Sequence, residues 1–286
     1  MVLMKMKLKM FVRTMIGSLI CSVTKMLLGP HVFALLVKSD NGIFAVDPED
    51  YETYGVSRRL RKAGEWGTAE IERLKPHITQ DSRVLVVGAH IGTLAIPLAK
   101  LSRKVVAIEA NPRTYGLLVQ NIALNSVTNC TAINVAASDK NEEIKFLLSR
   151  ANSGGSKRVP MKKEYMYYYD NPEEISVRAV SLDEYLEEKD FDIVVMDIEG
   201  SEYFALKGMQ EILTKCRLIM IEFLPHHLKN VSCVTVGQFL SVVAPHFSKM
   251  TIPSRDKTVG SSEFLDSLTE LYEDEEGDEG IVFEKI

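Results

Sequence analysis

The segment RVLVVGAHIGTLAIPLAK, residues 83–100, decides the fold because it combines three kinds of local structure. An apolar run ends at Gly88, and a second glycine, Gly92, follows four residues later. The apolar residues beyond Gly92 recur at helical spacing. The segment therefore predicts a buried strand, a tight turn and a helix, with glycines where the backbone must approach something closely.

The same alternation of strand and helix continues along the chain. Further apolar runs predict strands KVVAIEA (104–110), CTAINVAA (130–137), FDIVVMDIEG (191–200) and LIMIEF (218–223). Helical spacing predicts helices over 67–74, 93–101, 113–125, 202–213 and 236–243. Strands followed by helices of this length require right-handed crossovers. We therefore predict an α/β fold with a doubly wound, mostly parallel sheet.

Two regions depart from this alternation. The insertion 139–182 predicts either extra strands whose aromatic residues cover the sheet, or a lid whose Tyr165, Tyr167 or Tyr168 faces a substrate. The chain ends in FSKMTI and GIVFEKI, which predict a C-terminal hairpin and thus an antiparallel strand in the sheet. We predict no helix between them, and a solvated loop at YEDEEGDEG, residues 272–280.

The first 80 residues predict two additions to this core. Residues 1–30 contain five basic residues and no acidic one, with apolar residues at helical spacing, and predict a basic amphipathic helix ending at Gly29-Pro30. This helix could pack on the domain, lie on a membrane surface, or be a targeting peptide or signal anchor. Its apolar stretch is too short to predict a membrane-spanning helix. Residues 31–80 predict a hairpin and a helix, and residues 81–286 the main domain.

Composition limits the possible functions. The chain has 286 residues, 46% of them hydrophobic, which is enough for one sizeable core. The net charge of -5 argues against nucleic-acid binding. The four cysteines are far apart without metal-ligand spacing, which favours a reduced protein, cytoplasmic or at a membrane surface.

The glycine turn raises the question of what ligand it holds. A nicotinamide fingerprint needs glycines at its second and third positions, which here are His90 and Thr93. A histidine where a pyrophosphate would lie argues against a dinucleotide. The looser pattern favours S-adenosylmethionine, with Gly88, Ala89, His90 and Gly92 beside the cofactor.

Acidic residues end the other strands of the predicted sheet. Glu109, 21 residues after Gly88, could accept hydrogen bonds from both ribose hydroxyls, with Ala110 beside it. Ser138 and Asp139 follow the third strand and could line the adenine, or form a plain turn. Asp197 follows the fourth strand, which neighbours the first in such a sheet, so it should face the same crevice as Gly88.

Two more acids, Glu199 and Glu202, follow Asp197. A helix N-terminus capped by Ser201 would explain Glu202, because acids are favourable there. The same helix N-terminus explains the acid at Asp197 less well. Carboxylates that face a sulfonium cation or the proton of an acceptor hydroxyl make better use of the arrangement.

The motifs VGAHIG, IEANP, AASD and VVMDIEGSE, in this order, resemble the FkbM-type S-adenosylmethionine-dependent methyltransferases. The resemblance runs from about residue 40 to residue 223, and its most specific element is D-x-E-G-x-E, matched by Asp197, Glu199, Gly200 and Glu202. It implies a Rossmann-like methyltransferase sheet. It also implies methylation of a hydroxyl on a small-molecule, sugar or lipid acceptor.

The chain departs from the family pattern at two positions. Val86 stands where the family commonly has an acid that helps to hold the cofactor's amino group, and His90 stands in place of an asparagine. Glu65 or Glu70, beside Trp66, could substitute for the missing acid.

The predicted catalytic residues are Asp197, Glu199 and His226, the last as a base suited to neutral pH. Residue types would also allow a metal shared by Asp197, Glu222 and His226, but the spacing is not diagnostic, and we expect none. Two other classes stay open: a non-catalytic scaffold of this fold, and a nicotinamide-dependent oxidoreductase.

Overall fold

The computed structural model describes residues 26–285 and, before them, residues 12, 15, 19 and 22–24. The described residues of 12–28 are helical, and their large apolar side chains are exposed, Met26 by 76% and Leu27 by 73%. The rest of the predicted N-terminal helix lies outside the described residues. No helix in the described part is both long and apolar enough to cross a membrane.

The core is an eight-stranded sheet in the order β13-β12-β14-β11-β10-β3-β4-β5. Five strands are parallel to one another: β3 (Arg83–Val87), β4 (Lys104–Ile108), β5 (Cys130–Ile133), β10 (Ile193–Met196) and β11 (Leu218–Phe223). At one edge β14 (Asp278–Glu284) runs antiparallel to β11 and to β12 (Lys249–Ile252), which pairs with β13 (Lys257–Gly260). The predicted doubly wound α/β fold with an antiparallel C-terminal strand is confirmed.

Helices cover both faces of this sheet, so its central strands are apolar throughout. On β3, Leu85 and Val87 belong to one core cluster and Val84 and Val86 to the cluster on the opposite face. The described helices of four or more residues are Val56–Ala63, Thr68–Leu74, Ala95–Leu101, Pro112–Leu124, Leu182–Tyr185, Glu202–Lys207, Gln210–Lys215, Val236–Val243 and Phe264–Glu273, with a π-helical turn at Leu228–Ser232.

A second sheet and a hairpin flank the core. The insertion forms β7 (Glu142–Leu148), β8 (Lys157–Arg158) and β9 (Glu173–Val180), which pair with β6 (Ala136–Ala137) in the order β6-β9-β7-β8. The predicted extra strands are therefore present. The predicted N-terminal hairpin is also present, as β1 (Leu35–Ser39) and β2 (Gly42–Val46).

Residues 31–80 contain a second helix, Val56–Ala63, that was not expected, and three predictions about elements were wrong. The third strand was expected to be continuous, but it splits, because Ala136–Ala137 pair with β9 of the second sheet. The helix expected over 202–213 is two helices, because Asp183 accepts hydrogen bonds from the Glu211 and Ile212 amides and so begins a new helix there.

The third error concerns the C-terminal segment, where no helix was expected. Residues Phe264–Glu273 form a helix whose Phe264, Leu268 and Leu271 pack in the main core. The acidic run is also not wholly a solvated loop. Asp278 is buried at the start of β14, where its carboxylate accepts hydrogen bonds from the Ser254 and Gly280 amides.

Candidate active site

A cavity of about 250 Å³ opens at the carboxyl ends of β3, β4 and β10. Strands β3 and β10 are neighbours, and the chain leaves them in opposite directions, to β4 on one side and to β11 on the other. Open α/β sheets bind ligands at such a position. The predicted site residues that line it are Gly88, Ala89, His90, Glu109, Ala110, Asp197 and Glu199.

The glycine turn is required by the packing of two strands. Gly88 has φ +89°, and a Cβ at this position would lie 1.7 Å from the Asp197 carbonyl oxygen. The amides of Gly88 and Ala89 both donate to the Ile108 carbonyl at 2.9 Å, which ties the turn to β4. Gly92 also has positive φ, +94°, and a Cβ there would crowd Leu118 and Ile96. Gly92 does not line the cavity, and it serves the turn by packing.

Glu109 is held rigidly in the cavity wall. Its Oε2 accepts a hydrogen bond from the His90 amide at 2.7 Å, and its Oε1 accepts from the Asn111 amide at 2.8 Å and the Thr114 hydroxyl at 2.9 Å. Burial raises the pKa of Glu109, while these donors act against that rise. The carboxylate thus has a fixed position at the end of β4, where the sequence predicted ribose binding.

His90 lines the cavity and contacts the insertion. Its Nε2 lies 2.8 Å from the Ser153 hydroxyl, which itself donates to Asp50 at 2.8 Å. Ser153 can therefore only accept from His90, and this assigns the ring proton to Nε2. Burial lowers the pKa of His90 to about 4, so the ring is neutral. Its Nδ1 is buried without a hydrogen-bond partner.

Asp197 and Glu199 line the cavity after β10. The Asp197 side chain is accessible within the cavity, but surrounding protein and then the charges of Glu199 and Glu202 hold its pKa well above the usual value. Glu199 has φ +58°, and its carboxylate lies 2.6 Å from the Lys157 ammonium. Lys157 comes from β8 of the insertion and is 9% exposed, and no motif in the sequence indicated it.

Glu202 supports the loop and does not line the cavity. Its Oε1 accepts hydrogen bonds from the amides of Ile198 at 3.1 Å and Gly200 at 3.2 Å. The predicted cap by the Ser201 side chain is absent. The Glu202 carboxylate therefore fixes the backbone that carries Asp197 and Glu199.

The structure brings His227 rather than His226 to the acid cluster. Neither histidine lines the cavity, and the carbonyl of His226 accepts a hydrogen bond from the Tyr167 hydroxyl at 3.0 Å. His227 is 2% exposed, with Nε2 3.3 Å from Glu199 and Nδ1 3.4 Å from Glu222. Burial, and then the Lys157 charge, hold the pKa of His227 well below 6.5. Tyr167 is buried against both rings, while Tyr165 is exposed.

Ser138 and Asp139 also lie outside the cavity lining. Ser138 accepts a hydrogen bond from Arg158 at 2.9 Å, and Asp139 pairs with Lys207 at 3.0 Å. The reason is the split of the third strand, which turns the chain into the second sheet before these residues. An apolar wall lines the cavity near this point instead, formed by Val135, Ala136, Ala137, Ile144 and Phe146.

The structure also shows which residues surround the position where Val86 replaces the acid common in the family. Val86 is buried in β3 and lines the cavity, as do Trp66 and Glu70. Glu65 points elsewhere and pairs with Arg59 at 3.2 Å. Glu279, at the start of the C-terminal strand, also lines the cavity and had no signal in the sequence.

A parallel sheet with a glycine turn, an acid ending its second strand and a cavity at the switch point defines a Rossmann-like nucleoside-binding domain. The family model described as the Methyltransferase FkbM domain matches residues 87–250, more than half of the chain. The chain therefore belongs to the FkbM methyltransferase family, as its motifs predicted. It is a family of S-adenosylmethionine-dependent methyltransferases.

Individual relatives match shorter stretches. The chain is 28% identical over 190 residues to the 2-O-methyltransferase NoeI of Sinorhizobium fredii, covering 59% of this chain and 76% of that protein. It is 34% identical over 131 residues to a tRNA(Phe) (4-demethylwyosine(37)-C(7)) aminocarboxypropyltransferase of Methanocaldococcus jannaschii, covering 44% and 49%. It is 40% identical over 60 residues to ribosomal RNA small subunit methyltransferase A of Desulforapulum autotrophicum, covering 21% of each. The chain thus spans less than half the length of the last two relatives.

Solved structures that resemble this chain at low sequence identity include two proteins. One is the FkbM methyltransferase of Methylobacillus flagellatus KT, at 14% identity and TM-score 0.42, covering 72% of this chain and 44% of that one. The other is M. jannaschii TYW2 in complex with AdoMet, at 18% identity and TM-score 0.42, covering 89% and 87%.

The burial of Glu202 predicts a pH dependence of stability. Burial is the main cause that raises its pKa from 4.5 to about 7, so the folded protein holds this proton more tightly than the unfolded chain does. The resulting stabilisation is complete below pH 4.5 and is lost as pH rises through 7. In Glu202→Gln, the amide oxygen still accepts both backbone bonds, but the group does not titrate.

We therefore expect the midpoint of thermal unfolding to fall less in Glu202→Gln than in the wild type between about pH 5 and pH 8. Circular dichroism melts at closely spaced pH values would measure this. Glu263→Gln, at an exposed acid, is the control and should follow the wild-type profile. Identical profiles for wild type and Glu202→Gln would show that Glu202 does not titrate in this way.

Proposed function

We propose that this chain is an S-adenosylmethionine-dependent O-methyltransferase acting on a hydroxyl of a small-molecule, sugar or lipid acceptor. The observation that carries the proposal is one cavity lined both by Glu109, which follows β4, and by Asp197 and Glu199, which follow β10. Family membership supports methyl transfer. The name of the relative NoeI, a 2-O-methyltransferase, supports an oxygen acceptor. When bound, the cofactor would supply an electrophilic methyl group on a sulfonium sulfur.

The residues present fit this cofactor. Glu109 would accept the ribose hydroxyls, because its position is fixed by three donors and its carboxylate lines the cavity. The turn at Gly88 would let the cofactor lie against backbone. The apolar wall that includes Ile144 and Phe146 would enclose the adenine in place of Ser138 and Asp139. Glu70 would hold the amino group in place of the acid that Val86 replaces.

The charge of the cavity supports a neutral acceptor over a nucleic acid. Six of the described lining residues are acidic, and none is Lys or Arg: Glu70, Glu109, Asp197, Glu199, Glu222 and Glu279. Proteins that bind nucleic acid contact phosphates mainly through Lys and Arg, and an acid-lined cavity repels phosphate. Carboxylates are, in contrast, good acceptors for the hydroxyl groups of sugars and other polyols.

The chemistry requires that an acceptor oxygen be positioned and lose its proton. Asp197 is the proposed base, because it lines the cavity together with Glu199 and because a raised pKa makes a carboxylate a stronger proton acceptor. Lys157 holds the Glu199 carboxylate in place by an ion pair at 2.6 Å, so Glu199 would orient the acceptor. His227, next to Glu199, would take the position near this site that sequence reasoning assigned to His226.

Two neighbouring acids give a matched test of cofactor binding. Glu70→Gln should weaken binding of S-adenosylmethionine by about tenfold or more, because a charged hydrogen bond to the amino group would be lost. Glu65→Gln should leave the affinity unchanged, because Glu65 pairs with Arg59 outside the cavity. Calorimetric titration of both variants would measure this. Equal affinities would remove Glu70 from the cofactor site.

A panel of radiolabelled methyl-transfer assays tests the acceptor. We expect transfer to glycosides or hydroxylated lipids and none to RNA. Asp197→Asn should lower kcat by about 100-fold or more, a larger loss than its loss of cofactor affinity, because it removes the proposed base. Full turnover by Asp197→Asn would exclude Asp197 as the base. Transfer to RNA alone would contradict the proposed acceptor class.

A further inference from the structure

A compact group of potential metal ligands lies beside the cavity. Glu199 follows β10, Glu222 is in β11, and His227 follows that strand. One ligand atom from each of the three lies within 4.8 Å of the other two. Glu199 and Glu222 line the cavity, so an ion bound between them would be within reach of an acceptor.

Two atoms of this group are buried without hydrogen-bond partners. They are Nδ1 of His227 and Oε2 of Glu222, which lie 3.4 Å apart. Bonds of about 2.1 Å to a common ion place neighbouring ligand atoms about 3.0–3.4 Å apart in octahedral or tetrahedral geometry. The pair therefore already has the spacing of two ligands on one ion, and an ion there would satisfy both atoms.

The other side of the imidazole ring is also suited to metal binding. Nε2 of His227 lies 3.3 Å from Oε2 of Glu199. A histidine that binds a metal through one nitrogen usually donates the N–H of the other to a carboxylate, which fixes the tautomer. Glu199 would make this contact through Oε2 and would orient the ring, with Nδ1 of His227 and Oε2 of Glu222 as the direct ligands.

Lys157 supplies a positive charge to this group and would compete with a bound metal ion. Its ammonium lies 2.6 Å from Oε2 of Glu199 and 3.3 Å from Nε2 of His227. Both contacts are on the Nε2 side of the ring, so they leave Nδ1 and Glu222 unpartnered. One ammonium also balances one charge, whereas Asp197, Glu199 and Glu222 bring three carboxyl groups to the cavity.

We propose that Glu199, Glu222 and His227 form a binding site for a first-row divalent cation such as Mn²⁺ or Zn²⁺. An imidazole and a carboxylate as direct ligands suit these ions better than Ca²⁺ or Mg²⁺, which prefer oxygen ligands. The ion would bind the acceptor hydroxyl and favour loss of its proton to Asp197. The preferred acceptors would then carry two neighbouring hydroxyls that can bind the ion together. This role rests on the proposed function, whereas binding of the ion does not.

The test uses the full chain, freed of metal by a chelator and titrated with Co²⁺ without cofactor or acceptor. We expect one equivalent to bind, with visible absorption of a Co²⁺ ion bound to nitrogen and oxygen. His227→Gln and Glu222→Gln should lose this binding, and Glu199→Gln should weaken it about tenfold. His226→Gln is the matched control and should bind Co²⁺ like the wild type. Circular dichroism of each variant would check that it is folded.

Lys157→Met distinguishes a metal-binding site from a cluster of acids whose charge Lys157 alone balances. If the ammonium only competes with the ion, this variant should bind Co²⁺ more tightly than the wild type. Binding by Lys157→Met without binding by the wild type would overturn the proposal, because Lys157 would then take the place of the ion. Binding that survives in His227→Gln would overturn it as well. Titration of S-adenosylmethionine into the same samples reports on the methyltransferase assignment independently.

Discussion

The close approach of Gly88 to the carbonyl of Asp197 is the constraint on which the site depends. Strands β3 and β10 are neighbours, and their carboxyl ends can meet only if the first turn carries no side chain at this point. The contact brings the glycine turn and the acidic loop after β10 side by side in the lining of one cavity. A cofactor held by the turn then faces the acids that would act on an acceptor, without any further rearrangement.

The second determinant is the crowding of several acids around one space. Surrounding protein raises the pKa values of Asp197 and Glu222 well above their usual range, and mutual repulsion adds to the rise. Lys157 is the cation that the described structure brings against this group, and it acts against both shifts. Such an arrangement costs stability when it is empty of cations, and it favours ligands that bring positive charge. A sulfonium cofactor and a divalent ion are both ligands of this kind.

Sequence reasoning succeeded where a residue's role follows from its own strand. Glu109 and Asp197 end apolar runs, and the rule for the ends of parallel strands places both at one crevice. It failed where the role depends on packing between distant segments. Which of His226 and His227 contacts the acids depends on how the chain turns after β11. No local sequence pattern specifies that turn. Lys157 reaches the site only because the insertion folds into a sheet of its own, so it left no recognisable signal.

The most direct test of the account is a calorimetric titration of S-adenosylmethionine and S-adenosylhomocysteine into the wild type and Glu109→Ala. The account predicts micromolar binding of both compounds to the wild type and its loss in the variant, because Glu109 is the carboxylate placed to hold the ribose. Absence of binding to the folded wild type would contradict it. The non-catalytic scaffold, which Val86 first suggested, would then be the better description of this chain.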